Sequence, residues 1–379
     1  MLAYVADWLN ILTRWFHLIV GIGWIGTSFA FIALDVSFKK REGMAEGVHG
    51  TSWLVHGGGF YHVDKYMVAP PRLPEDLIWY KWDAYLTFLS GIVLMSVQYW
   101  LSARAYLIDP KVLPLEPWMA IALSIASLTA GWFTYDALCR SPLGEKPLLL
   151  AAAVFVLIVG AAWGYTHAYS GRGAFIHIGA FVGTIMAANV FRVIIPNQQK
   201  MVGQMIAGEA PDARLGIVAK QRSVHNTYLT LPVLLMMVSN HYPVLTNHPQ
   251  SWLIVALILV MGGPIRHFIV RHEAGDPLAK ILWAPAVAAV GLVAALILTA
   301  PKTGPASGPV MSDTEILTLT AKHCTMCHSA KPRHEAFSEA PKGVTLETVA
   351  DIVRFAPLIK VQAVDTDAMP LGNETGFTD

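Results

Sequence analysis

The apolar positions of this chain are gathered into long runs, several of more than 18 residues, broken by short polar stretches. A run of that length, coiled as helix, crosses a hydrocarbon layer of ~30 Å. The pattern predicts eight spans, near Trp8–Leu34, Asp83–Ala103, Pro117–Cys139, Leu148–Thr166, Ala174–Ile195, Val224–Asn240, Ser251–Val270 and Ile281–Ala300. The first is no cleavable leader, because it lacks a basic start and runs well past a short apolar core. After Ala300 the character changes. Pro301 to Pro309 is a Pro/Gly/Ser linker, and from Ser312 the chain is polar enough for a small soluble domain. No internal repeat is visible. The division is 1–300 for an eight-helix membrane domain that holds the catalytic site, 301–312 for the linker, and 313–379 for the C-terminal domain.

Composition strengthens the membrane reading. A chain of 379 residues has the length of two or three soluble domains, yet only 14% of its residues are charged, against ~25% in ordinary soluble proteins. Mean hydropathy is +0.48. A net charge of +1 argues against a nucleic-acid partner held by bulk positive charge. Three cysteines do not make a disulfide-stapled secreted domain. The basic residues also give an orientation. Loops 1–2, 3–4, 5–6 and 7–8 carry 14 Lys and Arg, whereas the opposite side carries Arg104, Lys111 and Arg172. Basic loops stay cytoplasmic, so both termini and the soluble domain are expected outside, in the periplasm.

The strongest motif is Cys324-Thr-Met-Cys327-His328. Cys-x-x-Cys-His is a c-type haem attachment site: two thiols reach the vinyl groups and the following imidazole reaches iron. A zinc site lacks its second ligand pair here, and a thioredoxin-like site needs a βαβ context. Asp313–His323 reads instead as a short helix leading into the motif. The expected sixth ligand is Met369, 41 residues past His328 in a Gly/Asn-rich loop, with His334 as its rival. His/Met ligation raises the potential relative to bis-His. Small class I cytochromes c close with a further C-terminal helix. This chain stops at Gly376-Phe-Thr-Asp379, so the expectation is a truncated or an unusually small haem domain.

Gly21-Ile-Gly23-Trp-Ile-Gly26 matches a dinucleotide fingerprint but sits inside an apolar helix with no strand before it, so that reading fails. The polar groups embedded in the spans separate by depth. Toward the outer side lie His17, His177 and His241; toward the inner side lie Asn189, Arg192, His225, Asn226, Arg266 and His267. Ionisable groups at membrane depth point to function by default. Snorkelling explains Arg192 and Arg266 as well, and helix–helix hydrogen bonds explain Asn189 and Asn226.

The stretches Val55-His-Gly-Gly-Gly-Phe-Tyr61, Lys65-Tyr-Met-Val-Ala-Pro-Pro71, Val190 to Met201, Ser223 to Pro232 and Ser239 to Pro243 resemble the bacterial membrane-bound urate hydroxylases, over essentially the whole chain. The resemblance implies eight membrane helices followed by a cytochrome c domain. It also implies oxidation of urate to 5-hydroxyisourate, with electrons passed to cytochrome c rather than to oxygen. Depth and chemistry then suggest the site: Arg192 and Asn189 pairing with the purine anion, Asn226 reading its carbonyls, and His225 as base for the attacking water. A second, non-covalent haem b held by His17, His177 and His241 is a further expectation. The implied partners are urate, the bilayer of a bacterial inner membrane, and a periplasmic acceptor such as a soluble cytochrome c or a terminal oxidase. A membrane-anchored cytochrome c subunit that oxidises a quinol is the alternative. A transporter fused to a haem sensor has no repeat or broken-helix pattern behind it.

Overall fold

The structure is a computed structural model that describes residues 2–300, 311–365 and 369–377. Most of the expected linker, 301–310, lies outside the described residues. The chain is mostly helical, and each of the eight apolar stretches contains a helix. They are α1 (Leu2–Ser37), α2 (Trp82–Met95, continued as a π turn over Ser96–Trp100), α3 (Pro117–Arg140) and α4 (Pro147–Thr166). Next come α5 (Gly171–Ala188), α6 (Ile195–Ile206, joined to α5 by a π turn over Asn189–Ile194), α7 (Ala213–Val238), α8 (Ser251–Glu273) and α9 (Trp283–Leu298). Among the described residues, five continuous helices are long and apolar enough to cross a membrane: Trp8–Ser37, Pro117–Arg140, Pro147–Thr166, Gly171–Ile206 and Ser251–Glu273. The other three fall short for visible reasons. The α2 helix turns to π geometry at Ser96, α7 carries Arg214, Lys220 and Arg222 in its first half, and α9 has 16 residues.

The centre of the bundle is α5. Of its apolar stretch with α6, 67% is buried, against 6% for α1. Helices α3, α4 and α7 pack around it, and Phe175, Ile178, Val182 and Ile185 are fully enclosed. A helix apolar on every side needs such company or lipid. Here α5 has the protein and α1 has its flank open.

The all-α expectation is corrected at one place. Val48–His56 and Gly59–Tyr66 form an antiparallel hairpin, β1–β2. Gly57 and Gly58 make its turn at φ +58° and +81°, the left-handed pair that a two-residue hairpin turn demands. The strand residues Trp53, Val55, Phe60 and Tyr61 are exposed, so little burial marks them in sequence. Asp35 at the end of α1 pairs with Lys65 of β2 and Lys220 of α7, which ties the hairpin to that end of the bundle.

Beyond the linker, α10 (Asp313–His323) starts with a capping box between Ser312 and Glu315, as the motif's leader helix was expected to run. A second helix, α11 (Val349–Ile359), follows. The Leu371–Asn373 turn rests on the short helix Ala103–Tyr106, with Gly372 against the carbonyl oxygens of Arg104 and Ala105. The C-terminal segment therefore sits at the end of the bundle opposite the hairpin.

Candidate functional site

Two places in the molecule carry chemistry. The first follows α10. The thiols of Cys324 and Cys327 are free, and the amides of Cys327 and His328 both donate to the Cys324 carbonyl, at 3.1 and 2.8 Å. The motif is thus one tight turn. His328 Nδ1 donates to the Val344 carbonyl at 2.9 Å, which fixes the ring and leaves Nε2 as the acceptor nitrogen. Metal-binding imidazoles are oriented in this way by a carbonyl on the far nitrogen. Burial pushes both thiols up, Cys327 to about 11 with help from Glu374. No cluster of three or more metal-binding side chains occurs among the described residues. The donor set fits a c-type haem. Of the two expected sixth ligands, His334 has both ring nitrogens engaged, one accepting from the Ala336 amide at 3.1 Å and one 3.3 Å from the Glu374 carboxylate. Met369 is held through its backbone by Gln362. Its side of the loop lines a cavity of about 320 Å³ shared with Asp109, Tyr169, His248, Asn373 and Phe377.

The second place is a buried polar network near the hairpin end, where α3, α5 and α7 meet. Asn189 Nδ2 donates to the Tyr135 hydroxyl at 3.0 Å and to Asn226 Oδ1 at 2.9 Å. Asn226 Nδ2 donates to the Met186 carbonyl at 2.9 Å. The Tyr135 hydroxyl lies 2.7 Å from His225 Nδ1. Arg222 reaches Asn189 Oδ1 at 3.5 Å and forms an ion pair with Asp136 at 2.8 Å. The structure thus brings Asn189, Asn226 and His225 together, through Tyr135 and Arg222, which sequence reasoning did not select. Tyr135 stands 90 residues from His225, and no local pattern announces the pair.

Arg192 is not among them: its side chain is exposed. The reason is the π turn over Asn189–Ile194. With i→i+5 bonding the turn is wider, so position i+3 no longer shares a face with Asn189 as it does in an α-helix. His225 is also placed differently from a free base. Its Nδ1 is taken up by the Tyr135 hydroxyl at 2.7 Å.

The outer histidines each have their own surroundings. His177 is fully buried with both nitrogens committed, to the Gly173 carbonyl and to Ser124 Oγ, each at 2.7 Å. His17 binds Ser90 Oγ at 2.9 Å, and His241 is exposed.

Mostly helical, with several helices apolar enough to cross a bilayer and polar groups enclosed between them, the chain has the build of an integral-membrane helical bundle. Residues 3–299 match the family described as urate oxidase N-terminal, and the chain belongs to that family. No curated relative and no solved structure matches it.

Proposed function

We propose that this protein is a membrane-bound, cytochrome c-dependent urate hydroxylase. The observation that carries the reading is the His328–Val344 hydrogen bond: it presets an imidazole beside two free thiols on a chain whose first 299 residues belong to a urate oxidase family. Urate and water give 5-hydroxyisourate, two protons and two electrons. Cys324, Cys327, His328 and Met369 would hold a haem c, which would supply a one-electron acceptor of raised potential that hands its electrons on to a soluble cytochrome c or a terminal oxidase.

The chain's own residues supply the rest. Val344 holds the His328 ring in the tautomer that offers Nε2. The Leu371–Asn373 turn seats the Met369 loop against the bundle, at the end that carries Arg14, Arg104, Lys111 and Arg172. That is the side poor in positive charge, which supports a periplasmic position for the haem segment and an inner membrane for the bundle. The Asn189–Asn226–Tyr135–His225 network, satisfied within itself, keeps α3, α5 and α7 in register near the cytoplasmic end.

The test is direct. Urate added without oxygen to membranes holding the protein reduces haem c, with two haems reduced per 5-hydroxyisourate formed. Reduction by a quinol and not by urate would replace this reading with that of an electron-transfer subunit.

A further inference from the structure

Arg266 stands apart from the other buried arginine. Arg222 has Asp136. Arg266, on α8, is 1% exposed, and its Nε and Nη2 have no hydrogen-bond partner. Its guanidinium lies 3.7 Å from the centroid of the Phe29 ring of α1. The side chain has not snorkelled to an interface. Helix side chains lean toward the helix N-terminus, which here carries the cation further into the bundle, away from the basic end of α8 at Arg271 and His272. Tyr228 and Glu273 lie within its electrostatic reach, but neither bonds those two nitrogens.

The two unpartnered nitrogens share one edge of the guanidinium. Nε–H and the outward Nη2–H run parallel and form a side-on fork that takes two adjacent acceptor atoms. A buried cation with its fork unfilled is costly to hold, and an anionic ligand removes that cost. The aromatic face of Phe29 favours a flat partner beside the fork. Gly26 and Gly263 lie one turn before Phe29 and Arg266, and a Cβ built at either meets nothing within 4 Å.

We propose that Arg266 and Phe29 seat a planar heterocyclic anion with an amidate edge, a deprotonated ring nitrogen beside a carbonyl oxygen; resting on the function proposed above, that anion is urate. The fork binds the edge, and Phe29 fixes the plane. Lys supplies one point charge without the fork, so it is no substitute.

The experiment uses the full-length haem-loaded protein in detergent, with haem c reduced beforehand so that bound urate is not consumed. Binding of radiolabelled urate is measured by equilibrium dialysis, and the thermal midpoint is recorded with and without urate. Arg266→Met is expected to weaken urate binding by about 100-fold, to abolish the urate-induced rise in midpoint, and to raise the midpoint of the ligand-free protein by removing an unpaired charge. Arg266→Lys is expected to weaken binding by about 10-fold or more and Phe29→Leu by a few fold, so that the proposal is decided even where Arg266→Met cannot be purified. Unchanged urate affinity in Arg266→Lys or Arg266→Met, with wild-type protein that binds and oxidises urate, overturns the Arg266 site and leaves the function standing. Wild-type protein that neither binds urate nor passes its electrons to haem c overturns the function itself. Equal stabilisation of the wild type by phosphate or chloride overturns the planar ligand, because a bare anion then suffices.

Discussion

Replacing Asp136 by Ala strands a cation. The Arg222 side chain is 2% exposed and its nearest negative charge is the Asp136 carboxylate at 2.8 Å. Its remaining contacts are the neutral Asn189 amide and the face of Tyr135, 5.1 Å from the guanidinium. Removing one partner of a buried pair typically costs ~3–5 kcal/mol, because the other charge stays behind unpaired. Asp136 is 15% exposed, so water reaches it in part, and the lower end, about 3 kcal/mol, is expected. Arg140 pairs with the same carboxylate at 2.7 Å, but its side chain is 72% exposed. Arg140→Ala should therefore cost no more than about 1 kcal/mol. Exchanging both buried charges for apolar groups, Asp136→Leu with Arg222→Met, should recover most of the loss. Equilibrium unfolding in mixed detergent micelles, followed by tryptophan fluorescence, measures all three. Equal costs for Asp136→Ala and Arg140→Ala, or no recovery in the double variant, would refute the reasoning.

Three further outcomes are expected. Cys324→Ala with Cys327→Ala abolishes haem stain on a denaturing gel, while Met369→Ala keeps the stain but changes the spectrum and lowers the potential; if His334→Ala does this and Met369→Ala does not, the sixth ligand is misassigned. Gly131→Ala places a Cβ 2.0 Å from the Phe181 ring and should destabilise the bundle by roughly 1–3 kcal/mol, relieved by Phe181→Leu in the same chain and refuted by unfolding identical to wild type. Ser312→Ala removes the capping box of α10 at a cost of about 1 kcal/mol, seen as faster amide exchange confined to the first turn of Asp313–His323.

Hydropathy alone placed a helix in each of the eight apolar stretches, because a run of some twenty apolar residues has few other ways to satisfy its backbone; five of them lie in continuous helices long enough to cross a membrane, and α6 fell in a stretch read as loop. The Cys324-x-x-Cys327-His328 motif was legible too, because its two thiols and imidazole lie within five contiguous positions. The leader helix over Asp313–His323 was expected from the sequence, and the structure adds its Ser312–Glu315 capping box. The family resemblance, carried by short stretches such as Val190 to Met201, agrees with the family found over residues 3–299.

The tertiary structure decided which side chains meet. Depth along a helix can be counted in sequence, but direction around it cannot when every face is apolar. Hence Arg192, Asn189 and His225 looked alike at one depth. A π turn then put Arg192 outside, while Tyr135 and Arg222, from α3 and α7, completed the network around Asn189. The same limit hid the contrast between two arginines. Asp136 lies 86 residues before Arg222, and only the fold reveals that one guanidinium has found its carboxylate while Arg266, equally buried, faces an aromatic ring with its fork open.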